Sequence, residues 1–209
     1  MGFSGFPEEA LDFYEGLEAD NSKAYWTDHK AMYDDCVAAP MRSLLDELEP
    51  RFGTAKMFRP YRDVRFSKDK SPYKTRQYAV IHTGDQGWYV GIDAQGLHLG
   101  GGMFTATTDQ VAKIRAAIAD AATGPALGKL LKSLRRKGFI IGGHQLKRVP
   151  KPWDDNHPRA DLLRHKSLIA YVDHEPAEWL HTARARDETV SAWQALEPLN
   201  RWLAEATGG

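Results

Sequence analysis

Helices at both ends of the chain and strands in its middle predict an α+β fold: one mostly antiparallel sheet with N-terminal, central and C-terminal helices packed on it. Three observations carry that expectation. Apolar residues recur at helical spacing through residues 1–50. From Lys56 the period shortens to aromatic and β-branched runs joined by tight turns. Helical periodicity returns after Pro176. A single domain over 1–209 is expected, with a helical segment 1–52, a sheet-forming region 56–175 containing inserted helices, and C-terminal helices over 176–207.

Pro7, Glu8 and Glu9 suit a helix start, where a missing N–H costs nothing and negative charge meets the positive end of the dipole. Leu11, Tyr14 and Leu17 then share a face. Asn21 or Ser22 can cap a second helix carrying Trp26, His29, Tyr33 and Cys36, and Pro40 opens a third with a stripe of Met41, Leu44, Leu45 and Leu48. Pro60 pushes Arg59 out of the helical region, so "KMFRPY" reads as short and extended. "QYAVIHTG", "GWYVGIDA" and "GLHLGGGMF", separated by "GDQG" and "AQG", read as a meander. Thr107 or Thr108 caps a helix with Val111, Ile114, Ala117 and Ile118; Gly124 and Pro125 break it, and "ALGKLLKSLRRKG" makes another, closed by Gly138. "FII", "HQLKRV" and "LIAYVDH" are three further strand candidates, with a short helix from Pro158 in the intervening loop. The tail from Pro176 is helical, with a break or kink expected near Pro198.

Composition excludes several classes. At 42% hydrophobic and 11% aromatic residues the chain has ample core material, and no run approaches a membrane span. The opening stretch reads neither as a signal peptide nor as a myristoylation site. Cys36 is alone, which points to a reducing compartment and a cytoplasmic location. The net charge of zero hides an uneven distribution. Residues 1–50 carry 12 acids and 3 bases, residues 51–166 carry 22 bases and 9 acids, and the remainder 7 acids and 3 bases. Either a basic face awaits an anionic partner or the acidic ends fold back and neutralise it.

The centre of that asymmetry is "RPYRDVRFSKDKSPYKTR", residues 59–76. Its seven cations are Arg59, Arg62, Arg65, Lys68, Lys70, Lys74 and Arg76, and its two anions are Asp63 and Asp69. Tyr61, Val64, Phe66 and Tyr73 are threaded between them. An exposed charged loop or an internal ion-pair network would account for part of this. If the chain is extended here, Arg62, Val64 and Phe66 share one face while Asp63 and Arg65 share the other, so that a carboxylate orients a guanidinium able to grip phosphate. Ser67, Ser71 and the turn N–H groups would complete an anion nest.

"RDVRFSKDKSPYKT" closely resembles the signature of a family of bacterial and fungal proteins catalogued as domain of unknown function 2461. "FSGFPEEALDFYEGLEADNSKAYWTDHKAMYDD", "GWYVGIDAQGLHLGGGMF" and "LKRVPKPWDDNHPRADLLRHKS" resemble it too. Asp20-Asn21, Tyr25-Trp26 and Lys151-Pro152 depart mildly from the family pattern. The resemblance implies a shared fold unit and weight on the 62–75 block; it implies no chemistry.

Other motifs are weaker. Gly100, Gly101 and Gly102 are followed by Met103-Phe104 rather than by a phosphate-binding helix start, so a bulge or a close backbone approach is expected. Asp154, Asp155 and His157 form an Asx-type turn more readily than a metal site. No residue is assigned to a metal, and no cofactor is implied. A second basic cluster, Lys129, Lys132, Arg135, Arg136 and Lys137, shares a helix, with Lys147 and Arg148 following.

The expected function is therefore binding of an anionic small molecule or nucleotide, with nucleic acid as a further option, in a cleft centred on 59–76. The residues expected to serve it are Arg59, Arg62, Asp63, Arg65, Ser67, Lys68, Lys70, Tyr73 and Lys74, joined by Lys147 and Arg148. A phosphoester hydrolase or transferase using the same cleft is the alternative, with His144 or His157 as base. An interaction protein docking an acidic partner is the third reading.

Overall fold

The computed structural model describes residues 2–65, 67–83 and 86–208. Phe66, and Gly84-Asp85 of the "GDQG" turn, lie outside them. Six strands form one open antiparallel sheet in the order β1-β2-β3-β4-β6-β5. The strands are β1 (Thr54–Met57), β2 (Gln77–Thr83), β3 (Gln86–Asp93), β4 (Gly96–Met103), β5 (Ile140–Gly142) and β6 (Leu168–His174). The helices are α1 (Glu9–Ala19), α2 (Lys23–Asp28), α3 (Lys30–Met32), α4 (Ala39–Phe52), α5 (Thr108–Ala119), α6 (Thr123–Arg136), α7 (Ala160–Leu163) and α8 (Arg184–Thr207). The chain groups into two compact units. The first is Met1–Ile81, Tyr89–Leu99 and Asp173–Ser191; the second is His82–Trp88, Gly100–Val172 and Ala192–Gly209.

In the first unit, α1 buries Leu11, Phe13, Tyr14 and Leu17, and α4 buries Met41, Leu44, Leu45, Leu48 and Phe52. Ser22 is the cap of α2, accepting from Tyr25 N at 3.1 Å. No break separates the second and third expected helices; a π-helical stretch, Tyr33–Ala38, carries the chain directly into α4. Phe13 gathers the rings of Tyr14, Tyr25, Trp26 and Tyr33 at centroid distances of 5.1, 6.0, 5.8 and 5.6 Å. The buried amide of Gln77 accepts from the Tyr33 hydroxyl at 2.7 Å and donates to the Phe58 and Tyr78 carbonyls, so no polar group of this side chain is stranded.

In the second unit, a capping box starts α5: Thr107 Oγ1 accepts from Gln110 N at 3.2 Å, and Gln110 Oε1 accepts from Thr107 N at 2.9 Å. Gly124 and Pro125 are not the break after α5. They lie in the first turn of α6, where Pro is tolerated, and the break is made by Asp120, which accepts from the Ala122 and Thr123 N–H groups at 2.9 Å. "HQLKRV" forms no strand; its pairing is one isolated bridge, Gln145 with His165. α8 continues through Pro198 without the expected break. The triple glycine belongs to β4, and close approach explains it. Gly102 has φ +121°, and a Cβ there would lie 2.4 Å from the Leu168 carbonyl oxygen.

Candidate functional site

The described residues of the 59–76 segment form a pinned loop of the first unit. The extended run expected around Arg62 reduces to one bridge between Tyr61 and Tyr73, flanked by Arg62 N donating to Pro72 O at 2.9 Å and Lys74 N donating to Pro60 O at 2.8 Å. Tyr73 is buried, its ring stacked on Trp26 at 4.3 Å and 8°. Its backbone is gripped by one side chain: Asn21 Oδ1 accepts from Tyr73 N, and Asn21 Nδ2 donates to Tyr73 O, both at 3.1 Å. Asn21, a candidate helix cap, instead ties the loop to the aromatic core.

The charges sort into matched and unmatched. Arg65 forks onto Asp63, with Nε donating at 3.0 Å and Nη2 at 2.7 Å, and this holds the Asp63 carboxyl below its ordinary range. Arg62 pairs with Asp69. The Ser71 N–H and hydroxyl, expected to serve an outside anion, both donate to Asp69; that part of the nest is filled by the chain's own carboxylate. Ser67 N donates to Val64 O at 3.4 Å. Arg76 reaches Asp93 at 3.4 Å. Among the described residues no carboxylate lies in ion-pair range of Arg59, Lys68, Lys70 or Lys74. Lys70 Nζ donates to Val64 O at 2.9 Å and Lys74 Nζ to Arg59 O at 2.7 Å, both neutral acceptors. The Lys74 ammonium also lies 5.6 Å from the Phe58 ring centroid and 5.1 Å from that of Tyr78. Burial first, then the charges of Arg59 and Arg62, lower its pKa.

Lys147 and Arg148 are exposed residues of the second unit, just past the Gln145–His165 bridge. Lys129, Lys132, Arg135, Arg136 and Lys137 are exposed at α6 and its C-terminal end. Asp154 forms an Asx turn, accepting from Asn156 N at 2.9 Å, while Asp155 pairs with Arg164 at 2.9 Å. Among the described residues, no group of three or more His, Cys, Asp or Glu side chains is placed to hold a metal.

One cluster was not foreseen. His98 on β4 is clamped between carboxylates, Nε2 to Asp93 and Nδ1 to Asp173, each at 2.7 Å. With both ring nitrogens facing acceptors, the ring is an imidazolium donating twice. Burial opposes that charge, but the hydrogen bonds and charges of the two aspartates outweigh it and raise the His98 pKa. Gly96, at the tight β3–β4 turn, has φ +113°, and a Cβ there would lie 2.2 Å from the His174 carbonyl oxygen, so the turn abuts the end of β6. The sequence signal was "DAQGLH", which puts Asp93 and His98 on facing strands of one hairpin; nothing local announces Asp173.

Fold and loop together define an α+β protein with an open six-stranded antiparallel sheet and a ring-anchored cationic loop. A family model described as "Conserved hypothetical protein (DUF2461)" matches residues 9–202, and the chain belongs to that family. No curated protein matches the chain. No helix among the described residues is long and apolar enough to cross a membrane.

Proposed function

We propose that the 59–76 loop binds a phosphate-bearing or other anionic ligand. The supporting observation is the surplus of fixed charge: Lys74 is held over two rings beside Arg59 and Arg62, with no carboxylate of its own among the described residues. Holding like charges together costs free energy that an anion offsets. Arg59, Arg62 and Lys74 engage the ligand, Lys68 and Lys70 extend the surface, Asp63 positions Arg65, and Tyr73 and Asn21 hold the backbone. Titration calorimetry with inorganic phosphate, pyrophosphate and a nucleoside triphosphate at low salt tests this. The paired change Arg59→Ala and Lys74→Met weakens binding by about tenfold or more, the scale of one charge-assisted hydrogen bond. Unchanged affinity in that variant, or no binding by the wild type, rejects the reading.

A nucleotide or single-stranded nucleic acid is favoured by Tyr61. This ring is 50% exposed between Arg59 and Arg62 in sequence, yet backed by Trp26 at 5.9 Å and Tyr73 at 5.5 Å. A rigid half-open ring among cations is a stacking platform for a base. Tyr61→Ala then weakens nucleotide binding while Tyr61→Phe preserves it, and inorganic phosphate responds to neither. Phosphoester chemistry at the same loop is less supported, because Asp63 and Asp69 are both committed to cations and orient rather than accept protons.

A further inference from the structure

The second unit contains a cleft of about 550 Å³ between α5 and the segments around His144 and Lys166. Its lining mixes apolar Phe104, Val111 and Leu146 with Arg115, Lys166, His144 and Ser167, and among the described residues no Asp or Glu lines it. A volume of this size, apolar with a few placed polar groups, suits a small organic ligand.

Arg115 decides the sign of that ligand. Its Nε donates to the Leu163 carbonyl at 2.9 Å and its Nη2 to the His165 carbonyl at 3.2 Å. Two neutral oxygens fix the plane of the guanidinium but leave its charge unmatched, and Nη1 has no partner among the described residues. A partly buried guanidinium without a carboxylate asks for an external one. The wall opposite α5 is held by interlocked segments. His144 N donates to Ser167 Oγ at 2.8 Å, Lys166 N to His144 O at 2.7 Å, and Leu146 N to Arg164 O at 2.8 Å. Gly143, at φ +118°, lets the two segments touch: a Cβ there would lie 2.1 Å from the Ser167 carbonyl oxygen. The cleft is therefore preorganised, which reduces the ordering a ligand must impose.

We propose that this cleft binds a small organic carboxylate, with the anion on the open edge of Arg115, Lys166 at the mouth, and an apolar body against Phe104, Val111 and Leu146. The residues are separate from those of the 59–76 loop, so the inference stands independently of the anion reading there. The apolar lining selects a monoanion with a hydrocarbon or aryl body over inorganic phosphate.

Titration calorimetry with benzoate, and with benzamide as its neutral isostere, tests the proposal on the full chain. Benzoate binds saturably at one site, and benzamide at least about tenfold more weakly. Val111→Trp, which fills the cleft, lowers benzoate affinity about tenfold, and Lys166→Met lowers it several-fold. Should Val111→Trp fail to fold, Ala112→Phe, at an exposed residue lining the same cleft, makes the same test. Benzamide binding as well as benzoate, affinity unmoved by the filling variant, or no saturable benzoate binding to folded wild type overturns the proposal.

Discussion

His98 has both ring nitrogens on carboxylates, and its charge is part of what holds the ends of β3, β4 and β6 in place. Its pKa is raised on folding, so its contribution is complete below the unfolded histidine value of about 6.5 and declines as pH rises through the folded value. Asp93 behaves oppositely: its carboxyl is depressed despite burial, and its contribution is lost as pH falls through the folded value. Thermal melts from about pH 6 to pH 9 therefore show wild type losing stability at the alkaline end. His98→Gln is less stable by about 2 kcal/mol at pH 6 and removes that alkaline slope. A variant keeping the wild-type slope would show that His98 is not the titrating group. Asn21 illustrates what single residues conceal. Asn and Ser cap helices about equally well, so the sequence could not choose between Asn21 and Ser22. The choice follows from Tyr73, which occupies Asn21 through both its amide groups.

Elements were legible where one period ran unbroken. The stripe of α4, the short aromatic and β-branched runs of the β2 to β4 meander and the Thr107 cap all follow from local sequence. Three features departed from local rules. Pro125 reads as a breaker but sits in a first turn, which needs no N–H from it. "HQLKRV" has strand composition, yet its backbone bonds go to the 164–167 segment at a single bridge. α8 passes through Pro198, with Trp193, Leu196, Leu199 and Leu203 buried around it. β4 offers a direct test of close packing: Gly102→Ala forces a Cβ against the Leu168 carbonyl at a φ that L-residues avoid. The expected loss is about 2–4 kcal/mol, read as a lowered urea midpoint at constant slope. An unchanged midpoint would mean that β4 and β6 do not meet as described.

At the scale of the molecule, a net charge of zero conceals a central excess of base. Of the two alternatives, neutralisation by acidic ends is not what the loop displays. Arg62 and Arg65 take carboxylates from within the loop itself, and four cations have none among the described residues. If those four meet phosphates of a single-stranded oligonucleotide, the logarithm of affinity falls with the logarithm of salt at a slope of about −3. Fluorescence anisotropy across a salt series measures it, and the double change Lys68→Ala and Lys70→Ala makes the slope shallower by about half. A flat dependence excludes the nucleic-acid form of the proposal while leaving small-anion binding testable by calorimetry.

The sequence by itself determined the fold class, the order of most elements, and the segment in which cations and rings are interleaved, because periodicity, turn chemistry and charge are local quantities. Tertiary structure alone decided which of those charges are matched, that Asp173 closes on His98, and that Arg115 faces carbonyls rather than a carboxylate. Each of these depends on which strands and loops become neighbours across tens of residues of chain, and the energy of a charge is set by those neighbours rather than by its place in the sequence.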